Sequence, residues 1–450
     1  MNRNKLKPTL SIFIAVLLCC HQHLMAQDST VMNLSLKDAI DLSIKNNKQL
    51  KGNLAKIEEA TAAVQEAKDK RLPDFKISGS YLRLNNPNID LKTKSSSGSG
   101  GGSADSNSIK VSSAIYGMAN VSLPLYSGMR LQYGIESAKY LEQAAKLDAD
   151  YNKDAVVLNT INAYINLYKS KAAVALVKEN LDQSRQRDTD FSNLEKNGLL
   201  ARNDLLKAQL QTSNIELSLF EAESNWKLAN INMDIMLGLP EKTNIVQDST
   251  FIQPAADLQS IEDFEKQAID NRKDVKALEL RQKAAGTGIK IVKGEYYPSL
   301  ALTGGYVAAD IPGFLSVTNA VNIGVGVQYS LSSLWKTKAK MQQAKAQEKQ
   351  LVAEQEGLNE NIRYQINEAY QGYLTSLKKI GVYEKAIDQA AENYKITKNK
   401  YNNSLVTTTE LLDADVAQLQ AKLNHAFAKA DAMAAYNKLL QSAGLIQTGK

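Results

Sequence analysis

Residues 73–81 read PDFKISGSY and residues 298–306 read PSLALTGGY. In each stretch a proline opens a run whose apolar or small residues fall on alternate positions. These are Phe75, Ile77, Gly79 and Tyr81 in the first, and Leu300, Leu302, Gly304 and Tyr306 in the second. A period of two is the pattern of a strand with one apolar face. The two stretches lie 225 positions apart, and so do Ser35-x-x-Asp38 and Ser260-x-x-Asp263. Further along, VSLPLYSG at Val121 answers VQYSLSSL at Val327, and NGLLARNDLL at Asn197 answers NSLVTTTELL at Asn403, both displaced by 206. The difference of 19 residues falls in the loop containing TKSSSGSGGGSADSNS (residues 93–108), which only the first copy has. A duplication this long sets the architecture. It predicts internal repeats of about 34–240 and 258–445 within one unit, residues 27–450.

The strand pattern extends beyond these two stretches. Residues 111–125 alternate through Val111, Ile115, Ala119, Val121, Leu123 and Leu125, and residues 320–331 through Val321, Ile323, Val325, Val327, Tyr329 and Leu331. Strands are therefore expected at about 74–84, 111–125, 298–310 and 320–331. The first pair is joined by the Gly/Ser-rich segment, the second by a loop around DIPGFLSVT. Nine to eleven residues is the length that a tilted membrane strand needs. Four strands cannot close a membrane barrel, and lipid tolerates no open edge. If these strands span a bilayer, several chains must pool them; the alternative is a soluble sheet packed on helices.

Between the strands the chain is helical in pattern. No proline interrupts residues 125–239 or 313–450, and residues 129–196 and 334–400 are rich in Ala, Leu, Lys, Gln and Glu. Helices of that extent would each be about 100 Å long, which calls for a coiled coil or an extended assembly. Each long helix ends at a tight turn, Lys196-Asn197-Gly198 or Asn402-Asn403-Ser404, and a returning helix follows, about 203–237 or 408–440. Two shorter helices, about 36–70 and 261–293, begin at the Ser-x-x-Asp caps.

Composition narrows the compartment. Arg3, Lys5 and Lys7 precede the 11-residue apolar run LSIFIAVLLCC, and Leu24-Met25-Ala26 ends in a small residue. This is a secretory signal, residues 1–26, too short to span as a helix. Cys19 and Cys20 raise lipidation as an alternative, without the small preceding residues such a site wants. Cleavage after Ala26 removes both cysteines and leaves His425 as the one histidine, so no disulfide, thiolate or Cys/His metal set remains. The formal charge of +6 falls to +3 on loss of the three signal cations, too mild and too evenly spread to argue for nucleic acid. A catalytic triad would have to use His425 alone, and no phosphate loop is present, so no enzyme and no cofactor is expected.

These features resemble the TolC-like outer-membrane efflux channels over essentially the whole mature chain. The likeness rests on the duplication, on LPDFKISGSY and YPSLALTGGY entering strands, on LYSG at 125–128 leaving them, and on NGLLARNDLLKAQL and SLVTTTELLDADVAQL at the tips. The resemblance implies a mainly α chain with a membrane β-barrel part. Three copies would form a 12-stranded barrel in the outer membrane of a Gram-negative bacterium, continued by a periplasmic α-barrel of coiled-coil helices. It further implies a passive exit duct for efflux or type I secretion, with three partners: outer-membrane lipid, a periplasmic adaptor (membrane fusion protein), and an inner-membrane transporter of the RND or ABC type.

The resemblance also assigns roles at the tips. Glu410 and Asp413, three apart and so on one helix face, match acids that line the narrowed lumen; rings of them would attract cations. Tyr401 matches a gate tyrosine and Asp204 the acid it bonds, while the basic residue of that gate falls on Val406. Gly198, Leu199 and Leu200, with Leu405 and Val406, match the surface that meets the adaptor. Plainer roles stand beside these: Thr407-x-x-Glu410 is a capping box, Asp204 opens a helix, and Leu199 and Leu200 can pack the turn. Tyr116, Tyr126, Tyr296, Tyr297, Tyr306 and Tyr329 are candidates for an interfacial belt. A periplasmic coiled-coil scaffold or adaptor without a pore is the competing reading, which leaves the strand alternation without a purpose.

Overall fold

The computed structural model describes residues 31–85, 111–248 and 258–446. The expected signal sequence, Cys19, Cys20 and the Gly/Ser-rich segment 93–108 lie outside them. The elements in chain order are β1 (Val31–Leu34), α1 (Leu36–Asn46), α2 (Lys48–Asp69), β2 (Asp74–Arg83), β3 (Ser113–Tyr126), α3 (Arg130–Lys196) and α4 (Arg202–Leu237). Then come β4 (Asn244–Gln247), α5 (Ile261–Asn271), α6 (Lys273–Lys293), a 3-10 turn at Gly294–Tyr296, β5 (Ser299–Ile311), β6 (Leu315–Gln328), α7 (Ser333–Asn402) and α8 (Thr408–Ser442). Two compact units can be distinguished. One draws on the described residues of 1–48, 153–268 and 364–450, the other on those of 49–152 and 269–363.

The second of these units carries a four-stranded antiparallel sheet in the order β2-β3-β5-β6. Gly79 faces Gly117 across β2 and β3, Ala119 faces Tyr306 across β3 and β5, and Gly304 faces Ile323 across β5 and β6. The alternating apolar side chains of the outer strands are bare: Ile77 is 91% and Ile323 82% exposed. Both edge strands, β2 and β6, have one unpaired side. β6 begins at Leu315, earlier than the alternation suggested, because the DIPGFLSVT segment is mostly strand. Ile311, Pro312, Gly313 and Phe314 make the turn: Phe314 N–H donates to the Ile311 carbonyl at 3.0 Å, and Gly313 sits at φ 74°. Proline at the second and a left-handed glycine at the third position is the type II arrangement.

The helices expected at 36–70 and 261–293 are each broken once, at Asn47 and Arg272. These positions are again 225 apart. Both residues are extended, with ψ of 123° and 130°. Arg272 is nearly fully buried and clamps Asp274 through Nη2 at 2.7 Å. Neither break is marked by Pro or Gly, which is why local signals miss it.

The other unit is built around a pair of strands absent from the sequence reading: β1 and β4 pair in parallel, Met32 facing Ile245. Four residues are too few for periodicity to register. Leu34 of β1 packs with Tyr164, Leu167, Met233 and Leu237, all essentially inaccessible. Each such side chain contributes about 2 kcal/mol of burial. The Tyr164 hydroxyl donates to the Leu34 carbonyl at 2.7 Å, and Asn230 Nδ2 donates to Thr243 O at 2.6 Å and to Asp234 Oδ2 at 3.0 Å. Asp234 is fully buried, and burial, aided by the charge of Glu241, pushes its carboxyl up to about 6.

Candidate functional site: the two helix tips

The two tips are built by the same hydrogen bonds. At the first, Gly198 N–H donates to Glu195 O at 2.9 Å and Leu199 N–H to Leu194 O at 2.9 Å. At the second, Ser404 N–H donates to Tyr401 O at 2.8 Å and Leu405 N–H to Lys400 O at 2.9 Å. Asn197 and Asn403 each return their side-chain amide to a carbonyl one turn back, Asn193 O and Asn399 O, at 2.7 Å. Gly198 has φ 70° and Ser404 φ 58°, so a serine holds the left-handed position that glycine holds in the first copy. This six-to-one closure of a helix end satisfies carbonyls that the helix leaves open. It holds Leu199 and Leu405 out in solvent, 74% and 72% exposed, with Leu200 and Val406 half-buried behind them.

The returning helices start differently. Thr407 caps α8 in a full capping box: Glu410 N–H donates to Thr407 Oγ1 at 3.3 Å, and Glu410 Oε1 accepts from Thr407 N–H at 3.2 Å. Glu410 is thus engaged as a cap and remains exposed. Asp413, one turn on, is exposed and has no ion pair among the described residues. Ala201 precedes α4 without a side-chain cap, and Asp204 is instead paired with Lys207 Nζ at 3.4 Å. Lys207 Nζ also lies 3.5 Å from Thr409 Oγ1.

Tyr401 stacks on Phe191 with centroids 5.4 Å apart, beside Leu205, Ala208 and Leu411. Its hydroxyl meets Thr408 Oγ1 at 3.4 Å. Among the described residues it is not hydrogen-bonded to Asp204, whose carboxylate turns to Lys207 on its own helix. Burial pushes the Tyr401 phenol above its ordinary range, and the charge of Asp204 adds to this.

One pair here escaped the sequence reading. Arg187 Nη2 donates to Asp415 Oδ2 at 2.6 Å, the two side chains 9% and 1% exposed. Asn180 Nδ2 also donates to Asp415 Oδ1, at 3.3 Å. The pair stands 228 residues apart, so spacing cannot announce it. The available clue is an acid set among Leu411, Leu412 and Ala414. A cavity of about 480 Å³ opens beside the pair, lined by Phe191, Tyr394, Tyr401 and Lys422 among others.

A family model described as outer membrane efflux protein matches residues 39–239 and 265–445. Nodulation protein T of Rhizobium leguminosarum bv. viciae is 27% identical over 171 residues, 38% of this chain and 35% of that protein. Outer membrane efflux protein BepC of Brucella suis biovar 1 is 21% identical over 308 residues, 66% of each chain. The chain therefore spans about a third of one of these curated relatives and just under two thirds of the other. Among solved structures, the outer membrane protein VceC of Vibrio cholerae superposes with a TM-score of 0.73 at 17% identity, covering 91% of this chain and 96% of that one. At that identity the likeness speaks for the fold.

Proposed function

From the premise that the chain belongs to the outer membrane efflux protein family, we propose that three copies pool their sheets into one closed barrel in the outer membrane. The assembly is a passive exit duct of a tripartite efflux or type I secretion system. The observation that carries this reading is the four-stranded sheet with two unpaired edges, β2 and β6. A bilayer offers no water to satisfy those edges, so each must pair with a neighbouring copy. A second observation supports association. On α4, Leu210, Leu217, Phe220, Leu228 and Ile235 are all exposed at helical spacing, an apolar stripe that a lone chain leaves bare.

In this assembly Glu410 and Asp413 from three copies form stacked acidic rings near the lower mouth, and Asp204 and Tyr401 belong to the gate. The exposed Leu199 and Leu405, with Gly198, Leu200 and Val406, meet the periplasmic adaptor, which links the duct to an inner-membrane pump. Cargo is selected by that pump. With Val406 in place of the gate's basic residue, Lys207 supplies a cation that reaches from Asp204 of the first tip to Thr409 of the second.

The test is the mass of the mature protein purified from membranes in detergent, by light scattering corrected for bound detergent. Three chains per particle are expected. A monomer released without detergent would overturn the proposal and leave a coiled-coil scaffold as the account.

A further inference from the structure

Both copies place a cation at the strand-to-helix junction: Arg130 at the start of α3 and Lys336 in the first turn of α7, 206 positions apart. The strand-bearing unit brings both into one cavity of about 380 Å³, whose wall also includes Ser330, Ser332, Ser333 and Lys340. Lys340 is neutralised there by Glu295, at 2.8 Å. Arg130 spends Nε on the Ser127 carbonyl at 2.8 Å. Its terminal nitrogens and the Lys336 ammonium have no partner among the described residues, and neither has the buried Ser333 Oγ. The cavity thus offers two uncompensated cations and a hydroxyl set.

The cradle is held in place by its backbone. Gly128 and Met129 both sit at φ 65°, and a Cβ on Gly128 would overlap the Gly294 carbonyl. A Cβ on Gly294 would in turn strike the Arg130 stem. A non-glycine residue held left-handed marks a segment whose surroundings over-determine it. Tyr297, which lines the cavity, and its neighbours in sequence Tyr329, Leu331, Leu334 and Trp335 are all exposed. Trp and Tyr with one apolar and one wet end favour the headgroup level of a membrane.

We propose that this cavity seats the phosphodiester headgroup of a membrane glycerophospholipid. Arg130 and Lys336 meet the phosphate, the serine hydroxyls donate to its free oxygens, and Leu331, Leu334 and Trp335 lie against the acyl chains. The inference rests on the reading that the β2–β6 sheet lies in the outer membrane. Charge complementarity and the adjoining apolar rim favour a lipid over free phosphate.

The experiment is native mass spectrometry of the delipidated full-length protein in detergent, titrated with phosphatidylglycerol. Diacylglycerol and inorganic phosphate serve as separate arms. Wild type should bind phosphatidylglycerol and not diacylglycerol. Arg130→Gln/Lys336→Gln should lose affinity by about thirtyfold, Lys336→Gln alone by about fivefold, and Lys349→Gln, on the exposed face of α7, should match wild type. Equal retention in wild type and both Lys336 variants overturns the proposal, as does inorganic phosphate binding as tightly as the lipid. Bilayer conductance of the same samples separates the two readings. Lipid loss with conductance intact supports the seat, conductance with unchanged retention removes it, and retention without any conductance removes the channel instead.

Discussion

At the first tip Gly198 takes the left-handed turn and Asp204 is answered by Lys207; at the second Ser404 takes the same turn, and the equivalents of that pair are Glu410 and Asp413, two acids. The hydrogen bonds that close the two turns agree to within 0.1 Å. Backbone geometry has thus been kept where it depends on local closure, while charge has been redistributed. The same divergence runs upward. Arg187 and Asp415 form a buried pair, whereas their counterparts Asn393 and Gln209 are exposed amides. Asp234, fully buried, has Leu440 as its counterpart. A duplication supplies two like scaffolds, and these are positions at which the two copies have diverged.

The sharpest way to break this comparison is at the buried pair. Arg187→Ala or Asp415→Ala leaves one charge buried without its partner and should cost about 3–5 kcal/mol, whereas Gln209→Ala should stay within about 0.5 kcal/mol. Denaturant unfolding in detergent reads the difference, and equal costs would remove the asymmetry.

Next is Asp234. Its folded-state value of about 6 lies above the ordinary 3.8. The protonated form therefore favours the fold below about pH 4, and that stability is lost as pH rises through 6. Asp234→Asn should flatten this dependence and be more stable than wild type at pH 7.5 by about 3 kcal/mol. Parallel pH profiles would contradict the assignment.

The acids of the second tip come third. Glu410→Gln/Asp413→Asn should weaken block of bilayer current by a trivalent cation about tenfold or more, and Asp204→Asn by about twofold, because Lys207 already offsets that carboxylate. Equal block in wild type and both variants would mean that these acids do not face the conducting path. The smallest effect is at the turns. With open space where a Cβ would project from Gly198, Gly198→Ser should cost about 1 kcal/mol and Ser404→Gly should gain about 0.5 kcal/mol, both purely from the left-handed backbone. Melting temperatures of the two variants should move in opposite directions.

Much of this was legible beforehand because it is local. Proline-free windows and three-to-four spacing marked α3 and α7 to within a few residues, and alternation marked the strands. The tip turns were readable from Asn-Gly and Asn-Asn-Ser. What escaped is non-local or unsigned: the β1–β4 pairing joins Val31 to Asn244, Arg187 finds Asp415 across two helices, and the breaks at Asn47 and Arg272 carry no helix-breaking residue. The expected link from Tyr401 to Asp204 is replaced by Thr408 on one side and Lys207 on the other, a choice made by side-chain reach that no spacing encodes.

The order β2-β3-β5-β6 also bears on how the chain is made. The first hairpin is complete at Tyr126, yet its partner β5 does not begin until Ser299, with α3 and α4 in between. During synthesis the hairpin must wait, with both edges raw, until that whole helical stretch has followed it. Closing so long a loop is slow, and an unpaired apolar edge is the kind of surface on which chains aggregate. The same separation makes the chain that has its first half but not yet its second the most fragile form, one that depends on being held until the second half arrives.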